Sequence, residues 1–130
     1  MGDLLDQAIP ATVAIFRTDR TILLRPVWFE WRDRVFAIEI PAGDRKIAML
    51  AKDPRISLLV AEAPWPYRAI QVSGTAETST SDYHEVGLRI CARYVGAARA
   101  SDYLSEAAGV VVRVRATSTA AWDYADEGYV

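Results

Sequence analysis

The sequence predicts a mainly β domain with a few helices: an antiparallel, six-stranded, Greek-key-like small barrel. Three observations predict it. Six runs rich in Val, Ile, Phe and Trp recur along the chain, bounded by polar turns or prolines. Helical segments are few and short. The early runs are joined by turns far too short for the crossovers that parallel strands require.

The elements follow in order. Asp3 to Ile9 is a short amphipathic segment of one or two helical turns, terminated by Pro10. Thr12–Arg17 and Thr21–Trp31 read as two strands, turned by Thr18-Asp19-Arg20. Arg32-Asp33-Arg34 turns the chain again into Val35–Ile40, so these three strands are expected to form a meander. Pro41-Ala42-Gly43 ends the third strand, and Asp44 is a good N-cap for a helix running to Lys52. Arg55–Glu62 is almost continuously apolar, which predicts a strand buried on both faces. A rigid loop, Ala63-Pro64-Trp65-Pro66-Tyr67, leads to the strand Arg68–Thr78. Asp82 and Glu85 form a D-x-x-E start for a helix through Tyr94 that Gly96 stops. A second short helix spans about Arg99–Ala107. The last strand is Val110–Arg115, with Val110, Val112 and Val114 facing one way, and Trp122 to Val130 form a polar, aromatic tail.

Composition narrows the function. The 130 residues form a single domain, 1–130, with 52% apolar and 25% charged residues. A net charge of −2 argues against nucleic acid or an anionic membrane as partner. The lone Cys91 excludes an internal disulfide and fits a reducing compartment. No signal peptide or apolar stretch long enough to span a membrane is visible, so a cytoplasmic location is expected. His84 and Cys91 stand seven apart, too far for a helical metal pair or a nucleophile–base pair, and both read as structural. Asp123, Asp126 and Glu127 read as a solvated tail. With so little nucleophilic chemistry, function depends on something bound. The helix start Gly43-Asp44-Arg45-Lys46, near Arg25-Pro26-Val27-Trp28, is the place that suits an anion.

The collinear series R-P-V-W-F, V-F-x-I, G-x-R-K, D-P-R-I-S-L-L-V and V-S-G-x-A-E resembles the flavin-binding split-barrel superfamily typified by pyridoxamine 5′-phosphate oxidase. It is most similar to the short bacterial branch that uses the deazaflavin coenzyme F-420. The similarity covers about Ala11 to Glu77, with further likeness at Asp82-Tyr83-His84-Glu85, Arg93-Tyr94-Val95-Gly96 and Trp122-Asp123-Tyr124. The resemblance implies cofactor contacts at Arg25, Pro26, Val27 and Trp28, ring contacts at Ala37 and Ile38, and a phosphate grip at Arg45 and Lys46. It also implies that Trp122 reaches the cofactor across a homodimer interface. Two positions depart from the pattern. Asp44 stands where the family has a small hydroxyl residue, and Ala69 stands where the oxidase has a Gln, with Gln71 two residues on. A carboxylate at 44 repels a phosphate and competes for the cap, which disfavours FMN. The activity implied is hydride transfer between reduced deazaflavin and a small unsaturated organic substrate, with no catalytic side chain required. FMN is the alternative cofactor. A non-catalytic flavin or tetrapyrrole binder is the alternative function.

Overall fold

A computed structural model describes residues 2–63 and 65–125. A 3-10 turn over Gly2–Asp6 precedes strand β1 (Ala11–Phe16). There follow β2 (Ile22–Val27), β3 (Glu30–Arg32), β4 (Val35–Ile40), helix α1 (Arg45–Lys52), β5 (Arg55–Ala61) and β6 (Arg68–Ser79). Helices α2 (Tyr83–Val95) and α3 (Ala100–Tyr103) and strand β7 (Val110–Asp123) complete the described chain. All pairings are antiparallel, in one seven-stranded sheet of order β2-β1-β5-β6-β7-β4-β3.

That order dictates the curvature. The two edges, β2 and β3, are consecutive in the chain and are joined by only Trp28 and Phe29. Three Cα steps reach at most about 11 Å. A flat seven-stranded sheet would hold its edges about 29 Å apart. The sheet must therefore curl until its edges approach, which makes the half-barrel. A register shift at Ser73/Gly74 assists by bending β6 against β7. A Cβ at Gly74 would lie 2.1 Å from the Arg115 carbonyl oxygen, so the close strand approach there requires glycine.

The barrel interior is filled by alternate residues of each strand: Val13 and Ile15, Phe36, Ile38 and Ile40, Ile56, Leu58 and Val60, and Val112 and Val114. Leu4 and Leu5 plug it from the N-terminal turn, and Leu50 does so from α1. On the outside, α2 covers Ala37 and Val111 with Val86 and Ile90. Glu30 and Arg89 fasten α2 near the β3 edge through paired bonds of 2.7 and 2.8 Å.

Several expectations need correction. The barrel has seven strands rather than six, because the run from Thr21 to Trp31 breaks at Trp28-Phe29. The meander is instead two hairpins at opposite edges, since β2 and β3 do not pair. Strand β5 is buried on one face only, with Leu59 38% exposed on the other. Strand β7 continues through Asp123, so Trp122 belongs to a strand and not a tail, held there by pairing with β6. Helix α3 has only four residues. Asp82 makes no side-chain cap; its carboxylate is held by Ser79 and Arg113, whose charge draws it away from the helix N–H groups. Asp126 and Glu127 lie outside the described residues.

Phe29, fully buried, is held by the end of α2. Its N–H donates to the Tyr94 hydroxyl at 3.2 Å, and the Arg93 guanidinium donates to its carbonyl. Arg93 also donates to the carbonyls of Leu5 (3.2 Å) and Gln7 (3.0 Å), and Tyr94 donates to that of Ile9 (3.0 Å). Two consecutive side chains thus tie the N-terminal segment to the link between the sheet edges. Tyr94→Phe should cost about 1–3 kcal/mol and Arg93→Met about 2–3 kcal/mol in urea unfolding, because each strands backbone groups that water reaches poorly. A second tie sits at the base of β6. Arg68 donates to both Glu62 oxygens (2.7 and 3.1 Å) and to Asp3 (2.8 Å). Arg68, then Gln7, hold the Glu62 carboxyl down at about 2. Its depressed value places this stabilisation above the ordinary carboxylate range, to be lost as pH falls toward about 2. Wild type should therefore exceed Glu62→Gln in stability at pH 6, and the gap should close by pH 2.

Candidate functional site

A cavity of about 470 Å³ opens beside the link between the sheet edges. It is lined by Pro10, Pro26, Val27, Trp28, Glu39, Pro41 and Lys46. Each side chain arrives for a local reason. Pro26 cannot donate to a ladder and occupies the edge strand β2, opposite Thr12. Trp28 lies in the link itself, stacked on Tyr94 with centroids 4.8 Å apart and planes 5° from parallel, and tilted against Tyr103 at 5.8 Å. Lys46 is in the first turn of α1. Glu39 occupies an outward position of β4, because Phe36, Ile38 and Ile40 take the inward ones.

The cavity therefore brings together four of the residues singled out in the sequence: Pro26, Val27, Trp28 and Lys46. The remaining five lie elsewhere. Arg25 is exposed on β2 and donates to the Leu24 carbonyl at 2.8 Å. Arg45, also exposed, lines a larger concavity of about 730 Å³ with Arg17, Arg20, Lys52 and Arg55. Ala37 lies beneath α2 and borders a third recess, of about 300 Å³. Ile38 points into the barrel, 1% exposed. Its backbone nevertheless lies beyond the last β3–β4 pair, Glu30↔Ala37, on a stretch of β4 that pairs with none of the described strands on that side. Trp122 is paired with Ala69 on β7 and is not among the residues lining the cavity.

Charge around Lys46 is largely settled within the chain. Asp44 caps α1, accepting the Lys46 N–H at 2.8 Å, and its second oxygen pairs with Lys46 Nζ at 3.0 Å. Burial opposes ionisation of Asp44, but those two bonds outweigh it and hold the carboxyl below its ordinary range. One carboxylate thus engages the Lys46 N–H and one of its ammonium donors, and sets a negative charge where a phosphate at this helix start would sit. Glu39 is the opposite case. Burial raises its carboxyl, only partly offset by the Tyr83 hydroxyl, which donates to Oε2 at 3.1 Å, and by Lys46. Sequence reasoning missed Glu39, Tyr83 and the clasp formed by Arg93 and Tyr94. The available signal for Glu39 was the single charge inside V-F-A-I-E-I. Among the described residues no group of His, Cys, Asp and Glu could hold a metal, and no helix is long and apolar enough to cross a membrane.

A curled antiparallel half-barrel closed through a two-residue link, with a tryptophan-walled cavity beside that link, is the architecture of the split-barrel class. The sequence pattern of the family described as pyridoxamine 5′-phosphate oxidase matches residues 2–123, and the chain belongs to that family. Among solved structures it is similar to the conserved hypothetical protein Rv2991 of Mycobacterium tuberculosis, with TM-score 0.82 and 25% identity over 98% of this chain and 85% of that one. It is also similar to an F-420 reductase, with TM-score 0.77 and 24% identity over 91% and 94%. A third likeness is to an FAD-binding protein of Mesorhizobium loti, with TM-score 0.68 and 14% identity over 92% and 87%. No curated protein matches the sequence.

The Asp44 geometry yields a measurable outcome. Asp44→Ser keeps a capping oxygen but releases Lys46, so FMN should bind about 5- to 30-fold more tightly, read from quenching of FMN fluorescence. An unchanged affinity would mean that the helix start is not where a phosphate sits.

Proposed function

We propose that the protein is an oxidoreductase that moves a hydride between reduced deazaflavin coenzyme F-420 and a small unsaturated organic substrate. The observation that carries this reading is Asp44, whose carboxylate bonds the Lys46 N–H and one of the three Lys46 ammonium donors. That arrangement disfavours an FMN phosphate at this spot. The likeness to an F-420 reductase points the same way.

The residues present fit such a cofactor. Pro26, Val27 and Trp28 offer a flat apolar wall for a tricyclic ring, and the strandless margin of β4 near Ile38 offers backbone to its polar edge. Lys46 lines the cavity, and Arg45, its exposed neighbour in the chain, faces the adjoining concavity and is available to anionic groups. When bound, the deazaflavin supplies the hydride; the chain's own residues orient ring and substrate and exclude water.

The same reading includes a homodimer. Two rows across the outer face of the sheet carry no charge: Leu24-Ala14-Ser57-Ser73-Ser118 and Pro26-Thr12-Leu59-Gln71-Ala120. The next row, Ala61-Ala69-Trp122, continues it. Ile22, Leu24 and Leu59 are 50%, 58% and 38% exposed on this face. A second copy laid there would bury them and bring its own Trp122 toward the edge strand that carries Pro26.

Fluorescence titration tests the reading directly. Deazaflavin should saturate the protein and FMN should bind more weakly, while the mass in solution should be twice the 14.4 kDa of the chain. Lys46→Ala should weaken deazaflavin binding by about 1–3 kcal/mol. Binding of neither cofactor would sink the proposal, and an unaltered Lys46→Ala affinity would remove Lys46 from the site.

A further inference from the structure

Glu39 stands out because its geometry exceeds what packing needs. It lines the same cavity as Trp28 and Lys46. One of its oxygens, Oε2, is fixed by the hydroxyl of Tyr83, a side chain only 1% exposed. Its other oxygen, Oε1, has no hydrogen-bond partner among the described residues and is not sealed from solvent. Glu39 therefore stands at the cavity wall with one oxygen held by Tyr83 and the other without a partner among the described residues.

We propose that Glu39 is the proton donor of the reaction, delivering its Oε1 proton to the substrate in the cavity that Trp28 and Lys46 line. The proposal rests on the hydride-transfer reading above. Reduction of a polarised carbon–carbon double bond requires one hydride and one proton. The hydride, supplied by the reduced cofactor, forms a C–H bond at the β carbon and sends the π pair onto the α carbon and carbonyl as an enolate. The Glu39 O–H bond then breaks, its proton forms the second C–H bond, and the electron pair stays on the carboxylate. Solvent at the cavity returns the proton.

The surroundings suit both charge states. From α2, Tyr83 donates to the carboxylate; burial, then the Glu39 charge, push its own hydroxyl up to about 12, so it stays protonated. Cys91, also from α2 and fully buried, is pushed up by burial and by Glu39, and stays neutral. Lys46 of α1 stabilises the carboxylate formed, and Asp44 tempers that pull. Burial is the largest influence on Glu39 and keeps its proton to a higher pH than an ordinary carboxyl.

The test compares wild type with Glu39→Gln, an isosteric change. In cofactor-free protein, the side-chain carboxyl carbon of Glu39, followed by ¹³C NMR, should titrate above the ordinary glutamate range. The raised value also means that ionisation costs wild type stability as pH rises through it, so Glu39→Gln should gain on wild type from pH 4 to pH 8 in urea unfolding. Deazaflavin affinity of the variant should stay within about threefold of wild type. Reduction of 2-cyclohexen-1-one in single-turnover mode should fall about 100-fold or more, and the wild-type decline in rate at high pH should be absent from the variant. A variant rate within threefold of wild type with the same pH profile overturns the proposal. So does an ordinary or low Glu39 titration, or a loss of cofactor affinity that accounts for the rate. Wild type that binds deazaflavin yet reduces no enone overturns the hydride-transfer reading, and the role of Glu39 falls with it.

Discussion

The structure depends on one constraint: the two free edges of a seven-stranded sheet are successive strands separated by two residues. Everything else accommodates that closure. The interior positions of β1, β4, β5 and β7 supply the apolar volume that a curled sheet must enclose, and Gly74 lets β6 and β7 pass closely enough to bend. The backbone of the link itself would be left unpaired where the ladder stops. Arg93 and Tyr94 supply those partners from the end of α2, and in doing so draw the N-terminal segment onto the barrel. A helix that looks peripheral in the sheet order is therefore part of how the sheet closes.

Charge is arranged on the same principle of local settlement. The buried Glu30 faces Arg89, Asp82 faces Arg113, Glu62 faces Arg68, and Asp44 faces Lys46. Each pair fastens one element to another or caps a helix. Against that background two features remain unsettled. The cations Arg20, Arg45 and Lys52 share a broad concavity whose acids, among the described residues, are Asp19 and Asp53, and those two acids are engaged with Thr21 and Arg55. The Glu39 carboxyl, tied to Tyr83 through one oxygen only, borders the apolar cavity. Incompletely paired cations and a carboxyl held by a single hydrogen bond thus lie around α1.

The strand positions were largely legible because alternation of buried and exposed residues is a local property. Val110, Val112 and Val114 show it plainly, as do Phe36, Ile38 and Ile40. What local reading missed has a common physical origin in long-range pairing. The break at Trp28-Phe29 is invisible inside a continuous apolar run, since only closure of the sheet forces it. The second half of β7, Ala-Thr-Ser-Thr-Ala-Ala, has weak strand character and is extended because β6 is beside it. The apolar outer residues of β5 looked like the mark of a doubly covered strand, yet Leu59 is 38% exposed and none of the described elements covers it. At the site, the cap at Asp44 agreed with the sequence reading, the family pattern matched the fold, and Pro26, Val27, Trp28 and Lys46 line one cavity. Glu39 and Tyr83 escaped it, because their meeting depends on α2 lying across β4, 44 residues further along the chain.

Trp28 belongs to both stories: it is half of the link that closes the barrel, and it is a wall of the cavity. This double duty divides the site by how freely it can evolve. Substitution at Trp28 alters closure and pocket shape together, so that wall is constrained by folding whatever ligand the protein takes. Arg45, Asp44 and Glu39 carry no share of the closure. New substrate or cofactor preferences within this lineage would therefore arise on the α1 side of the cavity, with the tryptophan side inherited unchanged.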